Sequence, residues 1–248
     1  MDGVLLTGGL ASRLGPITKV TNKHLLPIYN KPMVFYGIEL LRDLGCKRII
    51  IILGGNSVGD IVNLVRDGSQ FGVEIVYKFQ HEPRGISDAI RLTRDIIDQP
   101  ESSTYYPRFL VLLGDNIFDN TENLTRSVAD WILKHSDDYA IFLYESDHPH
   151  DYGQPVLGWE NKPERFVEKD SSVLHNRIIT GLYGLDLRAF WDIERQKASA
   201  RGEYEITDTL TLNLPNITAY NYEGFWSDCG TPEGLAEATK YFMDKEKE

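Results

Sequence analysis

Short, unbroken apolar runs recur along the first part of the chain, several of them closed by glycine. Val4-Leu5-Leu6 stops at Thr7-Gly8-Gly9, and Arg48 to Leu53 stops at Gly54-Gly55. Val73 to Tyr77, Phe109 to Leu113 and Ala140 to Tyr144 follow, the second of these ending in Gly114-Asp115-Asn116. Runs that are apolar at consecutive positions predict strands covered on both faces, as in parallel sheets. Between them the period changes to that of a helix. Met33 to Asp43 sets Val34, Ile38 and Leu41 on one face, Asp60 to Val65 gives a short helix, and Leu124 to His135 a longer one. Ser87 is placed to cap a helix running through Ala89, Ile90, Thr93 and Ile97. Alternation of this kind over about the first 145 residues predicts a parallel α/β sheet.

The pattern then shifts. Val156 to Trp159, Arg165 to Glu168 and Ile178 to Leu185 read as strands joined by loops alone. They predict a smaller β-rich subregion laid against the main sheet. Ala189 to Ala200, Ile206 to Asn213 and Pro232 to Lys245 read as helices. With no linker in sight, the expected architecture is one α/β domain: a Rossmann-like, mostly parallel sheet flanked by helices, with the β-rich subregion embedded in it.

Composition narrows the function classes. Of 248 residues, 26 are Lys or Arg and 37 are Asp or Glu, a formal net charge of −11. That charge repels nucleic-acid phosphates and argues against a nucleic-acid partner. It leaves room for a small polyanion held by local basic residues. An apolar fraction of 42 % is enough for a folded core and argues against disorder. No apolar run approaches the length that spans a bilayer, so no membrane partner is expected. The N-terminus lacks the basic n-region of a signal peptide. Cys46 and Cys229 form neither a disulfide framework nor a zinc pattern, which fits a reducing, cytoplasmic compartment. A homo-oligomer is compatible with the sequence.

In open parallel sheets, ligands bind beyond the carboxyl ends of strands, and two such ends carry chemistry. At Thr7-Gly8-Gly9-Leu10-Ala11-Ser12-Arg13, paired glycines let backbone N–H groups approach a phosphate and Arg13 adds a fixed charge. The loop is neither a Walker A sequence nor GxGxxG, and its bland reading is a tight turn. Lys19, Lys23 and Lys31 follow as a local basic cluster, or simply as solvated lysines. At the second end, Asp115 stands where a carboxylate could hold Mg²⁺, with Asp228 as a partner. A lone Asp there would more commonly be a turn residue. Glu203, Glu205 and Asp208 read as an acidic helix start, and His148-Pro149-His150 as a surface loop. Cys229 reads as a packed residue.

Taken in order, these segments form a pattern. Leu6-Thr7-Gly8-Gly9-x-x-x-Arg13-Leu14-x-Pro16-x-Thr18, Asn22-Lys23-His24-Leu25-Leu26-Pro27-Ile28 and Lys31-Pro32-Met33 resemble the signature of the sugar-1-phosphate nucleotidyltransferases. Within that family the resemblance is to the short-form glucose-1-phosphate thymidylyltransferase branch. Gly68-Ser69-Gln70-Phe71-Gly72-Val73, Tyr77-Lys78-Phe79-Gln80, Gly114-Asp115-Asn116-Ile117-Phe118, Tyr152-Gly153, Glu168-Lys169, Thr180-Gly181-Leu182-Tyr183, Ala200 to Asp208 and Trp226-x-Asp228-x-Gly230-Thr231 continue it over nearly the whole chain. The resemblance implies a nucleotide-binding part over 1–145 and an acceptor-binding part over 146–248. It implies that Gly8, Gly9 and Arg13 cradle a nucleoside triphosphate, that Lys23 meets its α-phosphate, and that Gln80 and Gly85 read a pyrimidine. Asp115 and Asp228 would hold Mg²⁺. Asn116, Gly153, Glu168 and Ile179 would line the pocket for a sugar 1-phosphate, whose phosphate Lys169 would hold. Arg13, Lys23 and Lys169 would be the catalytic cations.

The departures fall mainly on the acceptor and base side. Ala11 replaces a glycine two before Arg13. Gln154-Pro155 stands where an apolar pair is usual after Gly153, and proline limits ladder pairing. Asp170 follows Lys169, and Ile86-Ser87-Asp88 replaces an apolar-Ala-Gln stretch. They keep open the same chemistry with UTP or CTP and another phosphorylated or phosphonate acceptor. An inactive nucleotide-sugar sensor is the reading from a different class. It is disfavoured because Arg13, Lys23, Asp115 and Asp228 are all present.

Overall fold

Strand β1 (Asp2–Leu6) opens the chain and leads through 3-10 segments at Ser12–Lys19 and Lys23–Leu25. A two-residue-per-arm hairpin, β2 (Pro27–Ile28) and β3 (Lys31–Pro32), precedes α1 (Met33–Asp43). Then come β4 (Arg48–Leu53), α2 (Val58–Val65), β5 (Glu74–Phe79), α3 (Ile86–Arg91) and α4 (Arg94–Ile97). Strands β6 (Arg108–Leu113) and β7 (Asn116–Asp119) are followed by α5 (Glu122–Leu133), β8 (Tyr139–Glu145), β9 (Gly153–Leu157) and β10 (Pro163–Glu168). The chain closes with β11 (Arg177–Asp186), α6 (Arg188–Arg195), α7 (Ile206–Leu212), β12 (Ile217–Asn221), β13 (Phe225–Asp228) and α8 (Pro232–Lys245). This computed structural model describes residues 1–9, 12–97, 106–134, 139–159, 162–168, 175–214 and 216–247, without the side chains of Ser12 and Glu168.

These elements form two compact units. The first unit comprises Met1–Pro83, Leu112–Thr121 and Gly224–Glu248. Its sheet runs β6-β1-β4-β5, with β1 and β5 both parallel to β4. The aliphatic run Ile49-Ile50-Ile51-Ile52-Leu53 is 0 % exposed, so β4 is buried on both faces, as its unbroken pattern requires. Each of those side chains contributes about 1.5–3 kcal/mol of transfer free energy. Helix α1 packs closely on β1 at Gly37, where a methyl would lie 2.7 Å from Leu5 Cδ1. Strands β7 and β13 make a separate antiparallel pair with Asp228 opposite Asn116.

The second unit comprises Arg84–Val111 and Glu122–Glu223. Its sheet runs β12-β8-β11-β6, with β12 parallel and β11 antiparallel to β8. Strand β11, expected in the β-rich subregion, is thus a sheet strand, buried from Ile178 to Asp186. Among the described residues of this unit, β9 and β10 stand apart as an antiparallel pair. Pro155 does sit in this ladder, opposite Phe166, because a two-stranded sheet offers it an edge.

Other expectations need correction. Ser87 is no cap: it lies inside α3, fully buried, and its hydroxyl meets the Thr209 hydroxyl at 2.7 Å and the Glu205 carbonyl at 3.1 Å. Gly85, with φ 98°, holds the cap position, and the predicted single helix is the two short ones α3 and α4. Helix α6 ends at Arg195, five residues short of the prediction. Glu205 does not serve as an acidic first-turn residue of α7: its carboxylate binds Ser199 and Arg201, each at 2.9 Å. Helix α5 ends at Leu133, and His135 lies outside the described residues, as do Leu10, Ala11, Lys169 and Asp170.

Candidate active site

The first unit assembles most of the predicted nucleotide residues at the carboxyl ends of β1, β4 and β5. Three backbone segments meet there. A methyl at Gly54 would lie 3.2 Å from both the Gly8 Cα and the Gln80 carbonyl, and one at Gly8 would lie 3.4 Å from Gln80 Oε1. Glycine at position 54 favours this approach, because a side-chain carbon there would press on both neighbours. Gly9 has φ 127°, a conformation open chiefly to glycine. Gln80 is tied to β4 by its backbone N–H, which donates to the Leu53 carbonyl at 2.8 Å.

Two cation–carboxylate pairs lie beside this loop. Lys23 Nζ binds Asp115 Oδ2, and Arg13 Nη2 lies 3.3 Å from Asp228 Oδ2. Asp115 and Asp228 are each 8 % exposed, whereas the Arg13 side chain is 54 % exposed. The β7–β13 register brings the two carboxylates together, and the Cys229 amide donating to the Asp115 carbonyl at 2.8 Å closes the arrangement. The turn at the end of β13 is further fixed by Gly230 N–H donating to Asp228 Oδ1 at 2.9 Å. Thr231 then caps α8 by accepting from Gly234 N–H at 3.1 Å. Pro232, which has no N–H to satisfy, starts the helix.

Gly230 sits where both carboxylates converge. A methyl there would lie 2.7 Å from Asp115 Oδ2, 2.8 Å from Asp228 Oδ1 and 3.3 Å from Arg13 Nη2. The space is therefore bordered by hard oxygen donors, the set that suits Mg²⁺. Two buried carboxylates with neighbouring phosphates would satisfy a Mg²⁺ ion, which keeps several non-protein ligands. Among the described residues no group of three or more His, Cys, Asp or Glu side chains gathers to form an all-protein metal cage.

The charges are strongly coupled. Burial is the largest single influence on the Asp115 carboxyl and raises it, but the charge and hydrogen bond of Lys23, with His24 and the Asn116 amide, together hold the group well below the usual carboxylate range. Burial, then the negative charge of Asp115, pushes Asp228 up, with Arg13 opposing. His24, adjacent to Lys23 and 1 % exposed, is pushed down to about 3 by burial and by the Lys23 charge, so its imidazole is neutral.

Asn116 was expected at the sugar. Its amide donates to Asp115 Oδ1 at 3.1 Å, and its own carbonyl accepts from Trp226 Nε1 at 2.9 Å. It therefore orients the carboxylate beside it. Asn22, His24, Gly54 and Gly230 stand within the sequence patterns quoted above, but no site role was expected of them. The runs Gly54-Gly55 and Cys229-Gly230-Thr231, each directly after a strand, were the available signal.

The remaining predicted residues lie in the second unit. Gly153 begins β9 directly opposite Glu168, the last residue of β10. Ile179 is 7 % exposed on β11, against which β9 packs. Gly85 lies against the loop before α7: a methyl there would be 2.5 Å from the Tyr204 carbonyl oxygen. Tyr204 N–H donates to the Arg84 carbonyl at 2.7 Å, and Ser87 N–H to the Tyr204 carbonyl at 3.1 Å.

Known proteins resemble the chain over nearly its full length. The chain is 34 % identical over 250 residues to the low-salt glycan biosynthesis nucleotidyltransferase Agl11 of Haloferax volcanii, covering 98 % of this chain and 66 % of that protein. It thus spans just under two thirds of that relative's length. It is 32 % identical to the glucose-1-phosphate thymidylyltransferase of Neisseria meningitidis, over 97 % of this chain and 82 % of that one. A Bacillus anthracis protein crystallised with sucrose, a proposed glucose-1-phosphate thymidylyltransferase, superposes with a TM-score of 0.86 at 34 % identity. That match covers 97 % of this chain and 94 % of the other. The family model for nucleotidyl transferases matches residues 2–245, and the chain belongs to that family.

Proposed function

We propose that the protein transfers a nucleotidyl group from a nucleoside triphosphate, dTTP foremost, to a sugar 1-phosphate, foremost glucose 1-phosphate. The observation that carries this reading is the convergence of Lys23–Asp115 and Arg13–Asp228 on Gly230 beside the Gly8-Gly9 loop. A phosphate oxygen of the acceptor attacks the α-phosphorus. The bond from that phosphorus to the bridging oxygen of the β-phosphate breaks, and pyrophosphate leaves with the electron pair. The attacking phosphate is already ionised near pH 7, so no general base is needed. His24, neutral and buried, is consistent with that economy.

Catalysis of this kind is positioning together with neutralisation of two anions that repel each other. Arg13, exposed and on a long side chain, is suited to the outer phosphates. Lys23, held close to Asp115, is suited to the α-phosphate. Backbone N–H groups at Gly8 and Gly9 would receive phosphate oxygens without the obstruction of a side chain. Asp115 and Asp228 would hold Mg²⁺, which when bound to phosphate oxygens withdraws charge and makes the phosphorus more electrophilic. Gln80 and Gly85 are assigned to the base. Gly153, Glu168, Ile179 and Lys169 are assigned to the acceptor, with Asn116 at its margin. A cytoplasmic location suits such substrates.

The test is pyrophosphate release from dTTP, UTP, CTP, ATP and GTP, each with and without glucose 1-phosphate, in Mg²⁺ and then in EDTA. Release that requires metal and acceptor together, and is fastest with dTTP, supports the proposal. Dependence on a different nucleotide or acceptor moves the substrates and keeps the chemistry. Tight nucleotide-sugar binding without turnover for any pair would overturn it in favour of a sensor.

A further inference from the structure

Asn22 is buried, 6 % exposed, and its short side chain ties together three pieces of the candidate site. Its Oδ1 accepts the His24 backbone N–H at 3.0 Å, capping the 3-10 turn that begins at Lys23. The same oxygen lies 2.7 Å from His24 Nδ1. A carboxamide oxygen only accepts, so Nδ1 carries the imidazole proton. On the other side, Asn22 Nδ2 faces the carbonyls of Thr7 at 3.4 Å, Gly54 at 3.3 Å and Asn56 at 3.3 Å. Its two hydrogens are shared among three carbonyls. Thr7 adjoins the Gly8-Gly9 loop, and Gly54 and Asn56 belong to the loop after β4.

One amide thus fixes the turn carrying Lys23 to the phosphate loop and to the carboxyl end of β4. Lys23 is the next residue, and its ammonium binds Asp115 with only 12 % of its side chain exposed. A long, flexible lysine is aimed well only if its Cα is fixed, and the Asn22 side chain supplies hydrogen bonds that hold the turn there. We propose that Asn22 is a positioning residue that acts through Lys23. It sets where the ammonium stands relative to the Gly8-Gly9 loop and the Asp115–Asp228 pair.

This inference rests on the nucleotidyl-transfer reading, and the experiment separates the two. Asn22→Ala, Lys23→Ala and the double variant are compared with the wild type. With Lys23 present, Asn22→Ala is expected to lower kcat by about tenfold to 10²-fold, the scale of a roughly 1 Å misplacement. The acceptor KM should stay within about threefold of the wild type. With Lys23 already removed, Asn22→Ala should change kcat by less than about threefold, because the group it aims is gone. An equal loss in both backgrounds means a merely structural residue and overturns the proposal. If Asn22→Ala does not fold, Asn22→Ser retains the cap acceptor and takes its place.

A second readout needs no turnover. Limited acylation with an amine-directed reagent, read by peptide mass spectrometry, should label Lys23 at least about fivefold more in the folded Asn22 variant. Exposed Lys19 serves as the internal standard. Unchanged Lys23 labelling overturns the proposal. A silent wild type with raised labelling would refute the nucleotidyl-transfer reading and leave the role of Asn22 standing.

Discussion

Gly230→Ala adds one methyl at the point on which the two carboxylates converge. That carbon would lie 2.7 Å from Asp115 Oδ2 and 2.8 Å from Asp228 Oδ1. Comfortable non-bonded carbon contacts are about 3.5–4.0 Å, so each oxygen must retreat by several tenths of an ångström or more. Gly230 does not have a positive φ, so the backbone accepts alanine and the effect isolates the filling of this space. Mg²⁺ demands near-octahedral oxygen geometry at about 2.0–2.1 Å and tolerates such displacement poorly. A shift approaching 1 Å costs about 10²-fold in rate, which is about 2.7 kcal/mol of activation free energy. Overpacking itself costs about 1–3 kcal/mol of stability, or a Tm drop of about 2–12 °C at this size. The assay is the initial rate of pyrophosphate release as Mg²⁺ is titrated. The half-saturating Mg²⁺ concentration should rise and the plateau fall about 10²-fold. Gly59→Ala is the control, since a methyl in α2 meets nothing within 4 Å. Wild-type Mg²⁺ dependence and turnover in folded Gly230→Ala would falsify the shared-cation assignment.

Further expectations concern single sites. Asp115→Asn and Asp228→Asn should each lower turnover by orders of magnitude while the circular dichroism spectrum stays native; near-normal rates in both would remove the metal role. Gly85→Ala combines a φ of 98° with a Cβ 2.5 Å from the Tyr204 carbonyl oxygen. It should destabilise the fold by about 2–4 kcal/mol in chemical denaturation, adding strain at a special φ to overpacking. A change under about 0.5 kcal/mol would contradict the Tyr204 contact. Burial pushes the Cys46 thiol up to about 12. Because the folded value exceeds the unfolded one of about 8.5, the buried thiol's contribution is complete below that pH. It is lost as pH rises towards 12. Cys46→Ala should therefore show a shallower alkaline decline in stability than the wild type, as read from denaturant midpoints between about pH 8 and 11.

What could be read from the sequence, and what could not, follows from the range over which each signal acts. The runs at Leu5, Ile50 and Leu112 announced buried strands because burial on both faces leaves no polar position to break the pattern. Helix α1 was given at its observed limits because its apolar face is carried by its own residues. The short strands β7 and β13 leave no such pattern, since each is four residues long and takes its ladder partner from more than a hundred positions away. Ser87 was misread for a related reason. Its hydroxyl satisfies a local capping rule on paper, while its actual partners, Thr209 and the Glu205 carbonyl, come from a distant segment. The site divides in the same way. Arg13, Lys23, Asp115 and Asp228 are legible as charges that an acidic chain would not otherwise bring beside glycine loops. Their pairing depends on the β7–β13 register, and their aim on groups that look ordinary in sequence: an asparagine before a lysine, and a glycine after a cysteine. Under the proposed function the charged residues carry the chemistry, and the uncharged neighbours Asn22, Asn116 and Gly230, which bond to or border those groups, would decide whether the charges stand where a phosphate can use them.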